Sequence, residues 1–407
     1  MNRMDKLIRN KWKYFSLVCL VSGSILLAIF LKVQQDRANA NVLPRSSITA
    51  IDFSPQQDTV MLVYPGQVQG KTNDPELAYS SMVTINMKGK VLNERQIHDP
   101  RFTNLTLVQK PSTPNVLYAS AQGYPNHFYT FDFTKRHFSQ HNVTYFKHDP
   151  MLESIKHFGT DTWFKTLNSY KTGTQQSSQG TCCSHTFSNF DTRENYETPA
   201  RFEPGDSMMI DLDHHLAYAS VGSEDEQEEK AAMIFLDKQT EKPIVYRKKE
   251  EPYAYSALYG KDDTAYFAST DGWMIRINEA GQQTEQYYSF LQDSNYDVTD
   301  PIRMINATQG VQVVQQSSRD NQNRDRHILV KWTFGQPFSV QEVKPKFWAA
   351  DKWYKYLYIH PKTKKSYFIE FDPEHSDKGK LLITNQKYEL LHEVPVAGPI
   401  GIDFVIE

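Results

Sequence analysis

The sequence predicts an all-β fold, a seven-bladed β-propeller, on three observations. Short runs rich in Val, Ile, Tyr and Phe recur across residues 48–407, each ended by a turn containing Gly, Asn or Asp. These runs group in fours at a spacing of about 45–50 residues, the size of one propeller blade. The composition agrees: 39% hydrophobic and 23% charged, with 23 Tyr and 23 Phe, suits half-buried strands and a packed interior. A pair of β-sandwiches is the competing arrangement, because short strands alone allow either.

Tyr253–Phe290 shows the unit most plainly. It reads YAYSALY, the turn Gly260-Lys261-Asp262-Asp263, TAYFAS, the turn Thr270-Asp271-Gly272, WMIRIN, the turn Glu279-Ala280-Gly281, and the more polar QQTEQYYS. Asp-Gly and Ala-Gly between alternating apolar runs are hairpin chemistry, since a tight turn needs residues that tolerate positive φ.

In chain order, the first unit is ITAIDFS, TVMLVYP, SMVTINM and KVLNERQI, with Lys88-Gly89 joining the last two. The second is FTNLTLVQ, NVLYASA, HFYTFDF and HFSQHNVTY. The third is LESIKHF, TWFKTLNS, Ser184–Phe190 and ENYETPARF, and the fourth SMMIDLD, HLAYASV, AAMIFLD and PIVYRKK. The fifth is Tyr253–Phe290, and the sixth is IRMINA, VQVVQQ, HILVKWTF and SVQEVKP. The seventh, from about Phe347, contains WYKYLYIHP, SYFIEFDP and KLLITN, with KYELLHEV and GPIGIDFVIE beyond it. Ile402–Ile406 has no unit of its own. It is expected to pair into the first sheet, closing the ring and removing its seam edge.

A small-residue turn, a strand such as TAYFAS, and a strand ending in Asn278-Glu279-Ala280-Gly281 give the units a signature. It resembles the tryptophan-aspartate-like and YVTN-type repeat propellers, across most of residues 48–407 and at the level of the fold. The tryptophan-aspartate dipeptide and its Gly-His partner do not occur in the repeats, and no enzyme family is matched. The resemblance therefore implies radially packed blades and no particular activity.

The first segment differs in kind. Arg3, Lys6, Arg9, Lys11 and Lys13 precede the uncharged run Tyr14–Leu31, long enough to cross most of a bilayer's hydrocarbon as a helix. The basic flank is expected to stay cytoplasmic, which makes residues 1–40 a tail and signal anchor, 41–47 a linker, and 48–407 an extracytoplasmic propeller. The localisation expected is the plasma membrane, single-pass. A cleaved signal peptide is the rival reading, because Ala38-Asn39-Ala40 has the small-x-small pattern.

The formal net charge is −3, but without residues 1–40 the chain holds 38 basic against 46 acidic side chains, a net of −8. An acidic ectodomain argues against nucleic acid, which needs clustered Lys and Arg. Only Cys182 and Cys183 lie outside the first segment, so the fold is not a disulfide scaffold. For Cys182-Cys183-Ser184-His185 three readings stand: a vicinal disulfide between Cys182 and Cys183, a soft-metal site with His214-His215 recruited by folding, or plain thiols in a loop. The acidic run Ser223–Glu229 lacks the alternation and central Gly of a calcium loop and reads as solvated. No metal, cofactor or catalytic residue is assigned.

Long insertions fall between second and third strands, at Pro65–Ser80, Lys171–Ser184, Gly222–Lys230 and Ser317–Arg326. In an antiparallel blade that connection leaves from the same end as the link to the next blade. One face of the ring is thus elaborated and the other trimmed, and recognition concentrates on such loops. Trp348, Trp353, Tyr354, Tyr356 and Tyr358, with Tyr253, Tyr255 and Tyr259, read mainly as blade packing, a glycan-stacking surface being the alternative. Strict alternation puts Tyr354, Tyr356 and Tyr358 on one face. G-x-S-x-G, the phosphate loop and H-E-x-x-H do not occur. The function expected is a non-catalytic scaffold for a membrane or envelope protein or a cell-surface glycan. The alternative is a propeller enzyme, a metal-dependent hydrolase or lactonase with carboxylates and His at the central channel.

Overall fold

The computed structural model describes residues 42–43 and most of 58–407. Residues 1–41, 44–57, 69–77, 98–104, 122–126, 144–149, 170–182, 199–203, 221–231, 247–254, 288–294 and 318–325, with a few shorter stretches, lie outside that description. The apolar run 14–31 and ITAIDFS are among them. Among the described residues no helix is long and apolar enough to cross a membrane.

Seven sheets, antiparallel but for one short added strand, make up the fold; blades two to seven are each led by their innermost strand, whereas in blade one that place is taken by the last strand of the chain. Blade two is Leu105–Gln109, Val116–Ala121, His127–Asp132 and His137–Asn142. Blade three is Pro150–Phe158, Asp161–Ser169, Cys183–Asn189 and Asn195–Glu197. Blade four is Pro204–Asp211, His215–Ser220, Ala232–Asp237 and Pro243–Tyr246, and blade five Tyr255–Lys261, Thr264–Ser269, Trp273–Asn278 and Gln283–Tyr287. These four blades agree with the sequence reading.

The remaining blades depart from it in part. In blade six the innermost position is shared by Asn295–Val298 and Arg303–Asn306, which pair with the two halves of Gln309–Ser317. Only the second of these was legible as a strand, because Pro301 interrupts the run. Blade seven is Trp353–Ile359, Ser366–Asp372, His375–Thr384 and Leu390–Ala397. KYELLHEV is therefore not beyond the seventh unit but begins its outer strand, with Leu381 opposite Val394. Blade one holds Thr59–Val68, Ala78–Asn86 and Val91–Ile97, and two segments from elsewhere complete it. Phe404–Ile406 pairs antiparallel with Thr59–Val68, Leu62 opposite Val405, and closes the ring as expected. Val42–Leu43, inside the expected linker, adds a short parallel strand outside Val91–Ile97.

The interior is a series of clusters between blades rather than one central core. Ala217, Met233 and Phe235 of blade four meet Phe267 and Ile275 of blade five. Leu62, Ile85 and Val405 of blade one meet Tyr367, Ile369 and Leu381 of blade seven. Gly260 marks how close the sheets come, since a Cβ there would lie 2.2 Å from Ile210 Cγ2. Each blade buries both faces on its neighbours, so closure of the ring completes the burial of the first and last.

A repeated turn joins third to fourth strands. The side-chain oxygens of Asn86, Asp132, Asn189, Asp237, Asn278 and Asn385 accept backbone N–H bonds of 2.8–3.0 Å from the residues that follow. In five of these turns a residue with positive φ returns the chain: Gly89, Arg193, Glu241, Gly281 and Tyr388. A short polar side chain can bond its own turn, which is why Asn and Asp end these strands. This anchored turn is the structural form of the Asn278-Glu279-Ala280-Gly281 signature.

Candidate functional site

Antiparallel pairing fixes the end of the ring from which each connection leaves. Residues 69–77, 170–182, 221–231 and 318–325 all join second to third strands, in blades one, three, four and six. They leave from the end that also carries the blade-to-blade links. In blade seven the same connection is only Pro373-Glu374. The anchored turns crowd the opposite end. At the base of 221–231 the strands are pinned: Ala232 N–H donates to Ser220 Oγ at 3.1 Å, and that hydroxyl donates to Ala232 O at 3.3 Å.

The sequence-singled residues fall as follows. Cys182 lies outside the described residues, and Cys183 opens a strand opposite Ser169. His185 is a buried strand residue, 3% exposed, whose carbonyl accepts Thr198 N–H at 2.8 Å. His215 begins the second strand of blade four, at the trimmed end, while His185 lies near the elaborated end of blade three. Folding thus separates the two histidines that the metal reading would join. The acidic run Ser223–Glu229 and Tyr253 lie outside the described residues.

The aromatic run is interior. Trp348 stacks on Tyr354 with centroids 3.7 Å apart, its indole N–H donates to His327 O at 2.8 Å, and Trp353 stacks on the His327 ring at 5.0 Å. Tyr354 and Tyr356 pack between blades six and seven. Tyr358 does not join them. A bulge at Leu357 shifts the register from Tyr356 opposite Phe368 to Tyr358 opposite Tyr367, which turns Tyr358 toward blade one. Alternation predicts one face for all three; one extra residue reverses the last.

Two basic residues lie on innermost strands of different blades. Lys156 sits on the innermost strand of blade three and Arg303 on that of blade six, three blades on in a ring of seven. Burial, and then the charge of Arg303, hold the Lys156 ammonium down to about 8. Among the described residues no carboxylate pairs with Lys156. Beside it, His157 is held down to about 4 by burial and by Lys110 and Lys156, so the ring is neutral. Both its nitrogens are buried without a described hydrogen-bond partner, and Tyr118 meets the ring edge-on at 4.6 Å. Lys110 Nζ is turned aside to Thr162 Oγ1 at 3.4 Å. Sequence reasoning missed Lys156 and Arg303, because one basic residue in a strand looks like a solvated face.

A groove of about 520 Å³ runs along the seam between blades seven and one, lined by Tyr64, Val83, Val91, Pro395 and Ile400 among others. Val91 and Ile400 are more than half exposed. Tyr64 spans the seam, its hydroxyl donating to Ala397 O at 2.9 Å, and burial followed by Glu94 pushes the phenol up to about 12.

The sheet order and the axial arrangement define the class: the chain is a seven-bladed β-propeller. No family profile and no curated protein matches it. Among solved structures it is similar to a protein from Lactobacillus plantarum, at 10% identity over 86% of this chain and 100% of that one, TM-score 0.44. It is also similar to proteins assigned as 6-phosphogluconolactonases. The one from Bacteroides fragilis matches at 11% identity over 88% and 100% of the chains, TM-score 0.40. The one from Bacteroides uniformis matches at 11% over 86% and 99%, TM-score 0.41. Likeness at this level carries no inference about activity.

Proposed function

We propose that the chain is a membrane-anchored, extracytoplasmic β-propeller that acts as a non-catalytic scaffold, holding a protein or glycan on its elaborated face. One observation carries the reading: the long second-to-third connections of blades one, three, four and six share one end of the ring, while tight anchored turns occupy the other. Loops raised on a rigid scaffold are suited to recognition. The uncharged run 14–31 behind a basic flank supports the anchor, and the net charge of −8 beyond residue 40 supports a partner other than nucleic acid. The partner class is a membrane or envelope protein, or a cell-surface glycan. The second reading, a metal-dependent hydrolase or lactonase, needs carboxylates and His converging at the axis.

The test uses the full chain in its membrane. Photoreactive side chains at Gln175 and Glu226 should yield adducts with one partner, and the same probes at Lys88 and Thr240 should not. Equal adducts from both ends, or none from either, would overturn the scaffold reading. A chain begun at Asn41 should be lost from carbonate-washed membranes. Its retention would overturn the anchor.

A further inference from the structure

We propose that the trimmed end of blades seven and one lies against the anionic lipid headgroups of the bilayer that carries the anchor; this rests on the anchored reading above. The charges on that end are unevenly spread. Lys88 and Lys90 lie in the third-to-fourth turn of blade one, Lys387 in that of blade seven, and Lys362 and Lys364 in the first-to-second turn of blade seven. In an antiparallel blade all of these turns leave from the trimmed end. Lys88, Lys90, Lys362 and Lys387 are exposed. The two blades meet there, since a Cβ on Gly89 would lie 2.7 Å from Pro395 O. Of the acids described on this sector, Glu407 is bonded by Lys365, which leaves Asp58 and Glu389 against the lysines. The corresponding turns of blades three and four carry Asp191 and Glu194 with Arg193, and Asp213 and Glu241 with Lys242. Positive charge is thus gathered in one sector of a chain whose net charge beyond residue 40 is −8.

Each lysine springs from a pinned turn. Asn86 Oδ1 accepts the N–H of both Lys88 and Lys90 at 3.0 Å, and Asn385 Oδ1 that of Lys387 at 2.9 Å. His360 accepts the N–H of Lys362 at Nδ1, 3.2 Å, and that of Lys364 at its carbonyl, 2.9 Å. The backbone donors are taken up, and the long side chains remain to meet an outside anion. Burial holds the His360 ring below its ordinary value; Glu407 opposes this, and Lys365, Lys362 and Lys364 add to it.

The direction of one strand points the same way independently. Val42–Leu43 pairs parallel with Val91–Ile97 on the outer edge of blade one, Val42 opposite Gln96. Val91–Ile97 leaves the turn at Gly89 and runs from the trimmed to the elaborated end, so Val42–Leu43 is entered from the trimmed side. Only residues 32–41 separate it from the apolar run 14–31, and that length reaches about 35 Å at most when extended. The outer edge of blade one is therefore tethered close to the bilayer, beside the lysine sector and with the elaborated face turned away. A broad anionic surface suits lysines spread over two blades, which no single pocket gathers.

Energy transfer in vesicles reconstituted with the full chain reads the orientation. A fluorescent amino acid at Gln386, in the lysine sector, or at Gln239, in the corresponding turn of blade four, donates to an acceptor on the lipid headgroups. With about one-third phosphatidylglycerol in phosphatidylcholine, transfer from Gln386 should exceed that from Gln239, and the excess should shrink in phosphatidylcholine alone. Each lysine near an anionic surface adds about fivefold to the partition toward it. Lys88→Glu, Lys90→Glu, Lys362→Glu and Lys387→Glu together should therefore abolish the response to phosphatidylglycerol. Equal transfer from the two positions, or a response unchanged in the variant, would overturn the orientation. Should the variant fail to fold, a salt series on the wild type decides. The response should be lost at about 1 M salt, where the screening length is about 3 Å, and a response that survives overturns the lipid contact. Carbonate extraction of the same vesicles separates this proposal from the reading beneath it. A chain that washes off overturns the anchor and the orientation with it, whereas a retained chain with equal transfer overturns the orientation alone.

Discussion

Gln312 is fully buried in the middle of blade six, and its Oε1 accepts the indole N–H of Trp332 at 3.1 Å. A polar pair of this kind resists removal of one member, since the other is left desolvated. Gln312→Leu should lower stability by about 1–3 kcal/mol in chemical denaturation, and Trp332→Phe added to it should recover part of the loss. At this scale the sequence was legible only where neighbours set the pattern. WYKYLYIH shows apolar alternation, but the bulge at Leu357 that redirects Tyr358 comes from tertiary pairing. Lys156 and Arg303 are single basic residues in apolar strands. That they lie on the innermost strands of blades three and six is a tertiary relation that no local spacing encodes.

The anchored turn is the element that repeats most faithfully, and its variation makes a prediction. Glu241 holds φ 53 and Arg193 φ 69 where Gly89 and Gly281 stand in other blades. A Cβ is strained in that region, so Glu241→Gly should stabilise the fold by about 0.5–1 kcal/mol once the flexibility of glycine in the unfolded chain is counted, read as a raised thermal midpoint. Gly89→Ala should do the reverse, because its Cβ would also lie 2.7 Å from Pro395 O. Most strands were legible as elements because Gly, Asn and Asp punctuate alternating runs. The exceptions have physical causes. KYELLHEV was hard to place because its outer strand exposes Leu390 and Leu391, which blurs the alternation. The inner strand of blade six is broken into two short pieces. Of the candidate face, the sequence revealed which connections are long, and the antiparallel order then fixed their common end.

For the whole molecule the closing strand is decisive. Lys355 bonds Ile402 O and Asp403, and Lys365 and Tyr367 bond the Glu407 carboxylate, tying blade seven to the strand that completes blade one. Burial alone would raise the Glu407 carboxyl, but Lys365 and Tyr367 outweigh it and hold it below its ordinary 4.5. A carboxyl depressed on folding stabilises above its unfolded pKa, and that contribution disappears as the pH falls through the folded value. Glu407→Gln should therefore melt below the wild type near neutrality, with the two converging as the pH falls through the depressed value of the folded carboxyl. A constant gap across that range would rule out the carboxylate as the closing contact. The closure itself was legible, because Ile402–Ile406 had strand character and no unit to join. The sheet of blade one has a further consequence for biosynthesis. Its inner edge at Met61–Val63 is translated early, yet its partner Phe404–Ile406 is translated after all the other blades. A nascent chain must carry that open edge through translation of every later blade, so shielding the first hairpin is a task for whatever receives the polypeptide as it emerges.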